Sequence, residues 1–194
     1  MKRIGLLGGS FDPPHKGHIY ISVEAKKLLQ INEIWWLVTP QNPLKISEPA
    51  TYQERIKNCK EISKKKPILI KEIEKKINSK YTYQTLDYLL NHYINIKFFW
   101  IMGADNLINF HKWQKWRQIF QEVSIVVFKR HRYNNQALKS IACKTFANYR
   151  INSHQINKNH FNKLPSWTWI DNQEIKISST EIRQQRLILR GKDN

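Results

Sequence analysis

Cysteine is nearly missing from this chain. Only Cys59 and Cys143 occur in 194 residues, too few for a disulfide framework and without the paired spacing of a zinc site. The fold must therefore rest on an apolar core. Cys59 lies at helical spacing from Ile56 and Ile62, which reads as a reduced core thiol and points to a reducing, cytoplasmic setting. With 6 glycines and 7 prolines, a collagen-like or low-complexity chain is excluded. Long apolar runs are missing too. No stretch approaches the roughly 20 residues of a membrane-spanning helix, and the apolar part of MKRIGLLGG is too short for a secretion signal. A soluble protein with no membrane partner is expected.

Acidic residues are also scarce: 15 Asp and Glu face 33 Lys and Arg, a formal net charge of +18. Such a balance invites a nucleic-acid or other anionic partner. The basic residues are spread along the whole length, however, and the local run of Lys64, Lys65 and Lys66 stops at Pro67. The reading is a solvated basic surface that speeds the encounter with polyanionic small ligands. A nucleic-acid-binding module is the alternative from another class; its affinity would fall steeply with salt. With 41% hydrophobic residues, a chain of this length forms one domain, 1–194, burying roughly 70% of its unfolded surface.

Strand and helix signals alternate. Ile4 to Leu7 reads as a short buried strand, and Lys16 to Leu29 as a helix with Ile19, Val23, Ala25, Leu28 and Leu29 on its apolar face. Ile34 to Val38 is a second strand. Thr51 and Glu54 have capping-box spacing and start a second helix. Ile68 to Ile73 is a third strand, followed by a helix over Tyr83 to Asn91. KFFWIMG, residues 97–103, is apolar on both faces, as in a central parallel strand, and Val123 to Phe128 is another. Leu107 to Phe120 places aromatic residues at helical intervals. Residues 134–165 read as a helix plus a mobile loop, Trp167 to Ile170 as a last strand, and the segment from about Ser179 as a last helix. The expected fold is α/β: a Rossmann-like, doubly wound, mostly parallel open sheet. Ligands of such sheets sit beyond the carboxyl ends of the strands. That rule selects GGSFDPPHKGH, TPQNPLK, the approach to YTYQTL, GADNL and FKRHR.

In GGSFDPPHKGH, Gly8 and Gly9 allow a sharp turn and close approach of backbone to a ligand. Pro13 and Pro14 steer the chain into a helix whose first turn offers unpaired amides and a positive dipole end, a site for anions. His15 and His18 lie three apart, so both imidazoles share one face of that turn. Lys16 and the lack of a carboxylate beside the pair argue for phosphate contact over metal binding, which would need a third ligand for which His131, His154 and His160 are only loosely available. Near the other end, IKISSTEIRQQ reads locally as a capped helix, Ser178 and Glu181 having capping-box spacing. Ser178, Ser179 and Thr180 with Arg183 one turn inside also form a second anion site.

GGSFDPPHKGH resembles the phosphate-binding motif of the nucleotidyltransferase superfamily, and ISSTEIR is similar to that superfamily's C-terminal signature. Class I aminoacyl-tRNA synthetases have a related histidine motif, but this chain is too short for their tRNA-binding parts and lacks a KMSKS-like loop. Within the superfamily, YTYQTLDYL, GADNLINFHKWQKW and FKRHRY resemble segments of the bacterial nicotinate-nucleotide adenylyltransferases, a resemblance that covers nearly the whole chain and is weakest over 134–165.

That resemblance implies roles. His15, His18 and Arg183 would be catalytic. Gly8, Gly9, Ser10, Phe11, Lys45, Ser178, Ser179 and Thr180 would hold ATP. Thr82, Thr85, Gly103, Asp105, Trp113 and Arg130 would hold nicotinate mononucleotide, Trp113 offering a flat face to the pyridine ring and Arg130 neutralising the phosphate. Trp116 reads as core. The family often has Arg-Pro-Gly-Tyr where this chain has Arg130, His131, Arg132 and Tyr133, and a histidine where it has Leu44. The implied reaction is adenylyl transfer from ATP to nicotinate mononucleotide, with Mg²⁺ carried on the phosphates mostly through water, no carboxylate cage, and Asp105 holding ribose hydroxyls or helping to place the metal. Sister transferases acting on nicotinamide mononucleotide, phosphopantetheine or a polyol phosphate are the enzyme alternatives.

Overall fold

A computed structural model describes residues 1–40, 50–156, 161, 163–171, 173 and 177–190. Lys45 and the rest of NPLK lie outside these.

The chain opens with strand β1 (Lys2–Gly9), helix α1 (Lys16–Leu28) and strand β2 (Glu33–Val38). Helix α2 (Tyr52–Ile62), strand β3 (Ile68–Lys71) and the single turn α3 (Ile73–Lys76) follow. After helix α4 (Thr82–His92) the chain re-enters the sheet as β4 (Ile96–Gly103). Then come α5 (Ala104–Asn109), α6 (Trp116–Glu122) and β5 (Ser124–Phe128). The last part holds α7 (Asn134–Leu138), α8 (Ile141–Thr145), β6 (Arg150–Ile151), β7 (Trp167–Ile170) and α9 (Ser179–Arg190).

Among the described residues seven strands form one sheet in the order β3-β2-β1-β4-β5-β7-β6, and every pairing is parallel. The strands are buried on both sides because alternate residues feed two cores. Phe98, Trp100 and Met102 join Leu86, Leu107, Phe110 and Phe120 on one face. Phe99 and Ile101 join Ala25, Leu29, Ile56 and Cys59 on the other. Helices thus cover both faces, as the near-continuous apolar strands require. The chain winds outward from β1 through β2 to β3, then returns to lay β4 on the other side of β1. The carboxyl ends of β1 and β4 therefore bound the crevice where strand order reverses, the usual ligand position in open α/β sheets.

The capping box at Thr51 forms: its hydroxyl accepts from the Glu54 amide while the Glu54 carboxylate accepts from the Thr51 amide. Other elements differ from the sequence expectation. β3 ends at Lys71 and Ile73 begins a helical turn. The aromatic stretch 107–120 is divided between α5, a 3₁₀ turn over Phe110–Lys112 and α6, with Lys115 at φ 52° between them. Residues 134–156 carry α7, α8 and β6. A two-residue edge strand such as β6 has no period to detect.

Candidate active site

The site is built at the β1/β4 switch point. A Cβ on Gly8 would stand 2.6 Å from the Trp100 ring, so glycine is what lets β1 end tightly against β4. Phe11 follows at φ 47°, an unfavourable conformation for a bulky side chain. Packing holds it there. The ring is 2% exposed, stacks on Trp36 at 4.7 Å and lies 4.9 Å from His18.

His15 is the N-cap of α1. Its Nδ1 accepts the Gly17 amide at 3.1 Å, and the His15 amide donates to Nδ1 of His18 at 3.2 Å. Two imidazoles thus form a reciprocal capping box, a role usually filled by a hydroxyl and a carboxylate. Accepting at Nδ1 puts the remaining proton on Nε2, so each ring is a hydrogen-bond donor at its far edge. The ring centroids are 3.8 Å apart. No acidic residue occupies the first turn of α1, which leaves the positive end of the helix dipole unneutralised. Behind the pair, Trp36 Nε1 donates to Ser22 Oγ, and Ser22 Oγ donates to the His18 carbonyl, each at 2.8 Å. His15 is nearly fully buried. Burial first, and the Arg130 charge second, lower its pKa to about 4, against the opposing pull of Glu181. At neutral pH the ring therefore offers a neutral N–H.

The other end of the chain docks on this loop. Ser179 Oγ donates to the Pro13 carbonyl at 2.9 Å. The Arg183 guanidinium donates to the Asp12 carbonyl, pairs with the Asp12 carboxylate at 3.6 Å and reaches Thr180 Oγ1 at 3.3 Å. Ser178 Oγ accepts from the Glu181 amide at 3.2 Å, the cap expected from its spacing. The starts of α1 and α9 are therefore neighbours.

A third group stands at the ends of β4 and β5. Asp105 Oδ2 meets the Arg130 guanidinium at 3.3 Å, and Asp105 Oδ1 is buried with no hydrogen-bond partner among the described residues. A Cβ on Gly103 would collide with Asp105 Oδ1 and stand 3.3 Å from Arg130 Nε. The Arg130 amide donates to Asn134 Oδ1 at 2.7 Å and its carbonyl accepts from the Tyr133 amide at 2.8 Å. That closes a 3₁₀ turn over His131–Tyr133, where the related family often has Pro-Gly.

Trp113 is extended at the end of the 3₁₀ turn, partly buried, and packed edge-on to Trp100 at 6.1 Å. Trp116 is core, 8% exposed. Thr82 begins α4. Thr85, on the same helix, has no exposed surface, and its hydroxyl lies 3.3 Å from Ser79 Oγ. Ser10 presents its carbonyl to a buried arginine, Arg55, at 2.7 Å.

Arg55 and Glu74 are two buried charged residues that sequence reasoning missed, and it also gave no role to Ser22, Asp12 or Asn134. Arg55 is 1% exposed and Glu74 6%. Burial pushes the Glu74 carboxyl up to about 7, offset in part by a hydrogen bond from Thr39. Arg55 had a signal: it stands one helical turn before Cys59, on the face that buries Ile56.

The fold and this cluster define a class: an open parallel α/β sheet with the starts of α1 and α9 brought together at its switch point. The chain belongs to the cytidylyltransferase-like family, whose model matches residues 6–185. It is similar to a probable nicotinate-nucleotide adenylyltransferase of Ruegeria sp. strain TM1040, at 42% identity over 94% of this chain and 96% of that one. A protein of the same description from Bradyrhizobium sp. strain ORS 278 is 40% identical over 93% and 95%. In fold it matches Plasmodium falciparum nicotinic acid mononucleotide adenylyltransferase complexed with NaAD, with a TM-score of 0.70 and 20% identity over 95% of this chain and 83% of that one.

Proposed function

We propose that this chain transfers the adenylyl group of ATP to nicotinate mononucleotide, giving nicotinate adenine dinucleotide and pyrophosphate. The observation that carries the reading is the docking of Ser179 and Arg183 on Pro13 and Asp12. It joins two anion-binding helix ends at the switch point, as a triphosphate held along its length requires. The curated relatives carry the name of this activity over nearly their whole length.

In the proposed reaction an oxygen of the mononucleotide phosphate attacks the α phosphorus of ATP. The new P–O bond forms in line with the bond to the β phosphate, which breaks as pyrophosphate leaves. The attacking oxygen is already ionised at neutral pH, so a protein base has little to add, and the barrier falls through positioning and charge stabilisation. His15 and His18 donate Nε2–H to phosphate oxygens. Arg183, Ser179 and Thr180 take the leaving end. Asp105, whose Oδ1 is buried without a partner among the described residues, accepts from a ribose hydroxyl, and Arg130 neutralises the acceptor phosphate. Trp113 stacks on the pyridine ring. Mg²⁺ arrives with ATP as part of the substrate; imidazole, hydroxyl and guanidinium donors suit phosphate oxygens, and the metal takes its oxygen ligands from phosphates and water.

The test is pyrophosphate release from ATP and Mg²⁺ with each acceptor in turn. Nicotinate mononucleotide is expected to give the highest kcat/KM. Faster turnover with nicotinamide mononucleotide or phosphopantetheine contradicts the acceptor assignment, and no release with any of them contradicts the enzyme.

A further inference from the structure

We infer that Arg55 is a positioning residue for ATP, fixing the β1–α1 loop against the β2–α2 loop through their backbone carbonyls. Its Nε donates to the Ala50 carbonyl at 3.0 Å. One terminal nitrogen donates to the carbonyls of Ser10 at 2.7 Å and Thr39 at 2.8 Å, and the other to the Pro40 carbonyl at 2.7 Å. A guanidinium has about five N–H donors in a rigid planar fork, and most of them are spent on main chain from two separate loops. The cation is 1% exposed and sits 5.4 Å from the Tyr52 ring.

Two physical points give this arrangement a consequence for the reaction. Burying a cation costs several kcal/mol unless its donors are satisfied, so the four carbonyls and the guanidinium hold each other in a single geometry. The carbonyls also come from three separate stretches of chain, residue 10, residues 39–40 and residue 50. Ser10 directly follows Gly9, the last residue of β1, so the sharp turn expected at Gly8 and Gly9 is not there; the turn falls at Phe11, held at positive φ. Thr39 and Pro40 leave β2, the strand beside β1, and Ala50 precedes the cap of α2. The ladder between β1 and β2 ends with the Thr39 amide donating to the Gly9 carbonyl at 3.0 Å, and Arg55 carries the connection one residue further by joining the Ser10 and Thr39 carbonyls. A shift of about 1 Å in a positioned phosphate can cost on the order of 100-fold in rate.

The inference rests on the adenylyl-transfer reading for its kinetic arm only. Arg55→Met and Arg55→Lys are compared with Cys59→Ala, a cavity variant one turn along the same helix. Steady-state kinetics are run well below each melting temperature, and hydrogen exchange is followed in residues 8–11. Arg55→Met is expected to lower kcat/KM for ATP by about 100-fold, with the KM for the acceptor changed less than about threefold. Arg55→Lys keeps the charge and loses the fork, and is expected to lose about tenfold. Both variants should exchange faster in residues 8–11, whereas Cys59→Ala loses melting temperature and keeps both readouts. Should Arg55→Met fail to fold, Arg55→Lys decides. Overturning results are a folded arginine variant with ATP kinetics within threefold of the parent and unchanged exchange, or Cys59→Ala showing the same losses. Wild-type protein that releases no pyrophosphate refutes the reaction alone, because the exchange comparison still tests the positioning.

Discussion

Ser179 and Pro13 stand 166 positions apart in sequence and are joined by a single hydrogen bond of 2.9 Å between the serine hydroxyl and the proline carbonyl. That bond seats the start of α9 against the loop leading into α1. Everything assigned to the triphosphate follows from the two helix ends being neighbours.

His18→Ala removes a donor held in place by the His15 amide on one side and the Ser22–Trp36 pair on the other. The expected loss is roughly two orders of magnitude in kcat, the scale of one preorganised charge-stabilising donor. Near-normal turnover in steady-state assays would take His18 out of the chemistry.

Trp113→Ala is expected to raise the KM for the mononucleotide while ATP binding changes little, since the ring packs against Trp100 and Phe110 and away from the histidine pair's aromatic neighbours, Phe11 and Trp36. A mononucleotide KM equal to the parent's excludes the ring from the acceptor pocket.

Gly103→Ala drives a methyl group into Asp105 Oδ1 and against Arg130. The acceptor side should suffer: kcat/KM for the mononucleotide is expected to fall about tenfold or more, with a stability loss of about 1–3 kcal/mol from overpacking. Unchanged acceptor kinetics in the folded variant would separate the Asp105–Arg130 pair from the acceptor.

Stability against pH should reveal two buried groups with opposite slopes. Glu74 holds its proton to about pH 7 in the fold but to about 4.5 when unfolded, so it favours folding at low pH and loses that contribution as pH rises from about 4.5 to 7. His15 stays neutral down to about pH 4 in the fold but takes a proton near 6.5 when unfolded. Its contribution is present above about 6.5 and lost as pH falls to 4. Each is worth at most about 3 kcal/mol, and over the shared window they offset one another. Glu74→Gln should therefore uncover the histidine slope, with stability rising from pH 4 to 6.5 and exceeding the parent at pH 8. Chemical denaturation at a series of pH values checks this; parallel profiles for parent and variant would contradict it.

Much of the architecture was legible because parallel strands buried on both faces leave unbroken apolar runs, as in KFFWIMG, and because Thr51 and Ser178 announce their helices by capping spacing. The segment leading into α1 was legible for a similar reason: glycines, prolines and histidines crowd into eleven positions at the end of a strand. What stayed hidden depends on distant partners. Arg55 lies among exposed lysines and glutamates in sequence, and only the fold delivers the carbonyls of Ser10, Thr39 and Pro40 to it. The resemblance implies that Thr85 lines the acceptor pocket; that it packs against Ser79 with no exposed surface could not be read from the sequence. The break near Lys115 needs a left-handed residue that helical spacing of tryptophans does not reveal.

The most direct test of the paired helix ends is hydrogen exchange with and without a non-hydrolysable ATP analogue and Mg²⁺. One triphosphate gripped by both ends should slow exchange together in residues 15–18 and 179–183, to saturation at the same analogue concentration. Protection confined to one segment, or appearing in the two at different concentrations, would contradict a shared triphosphate site.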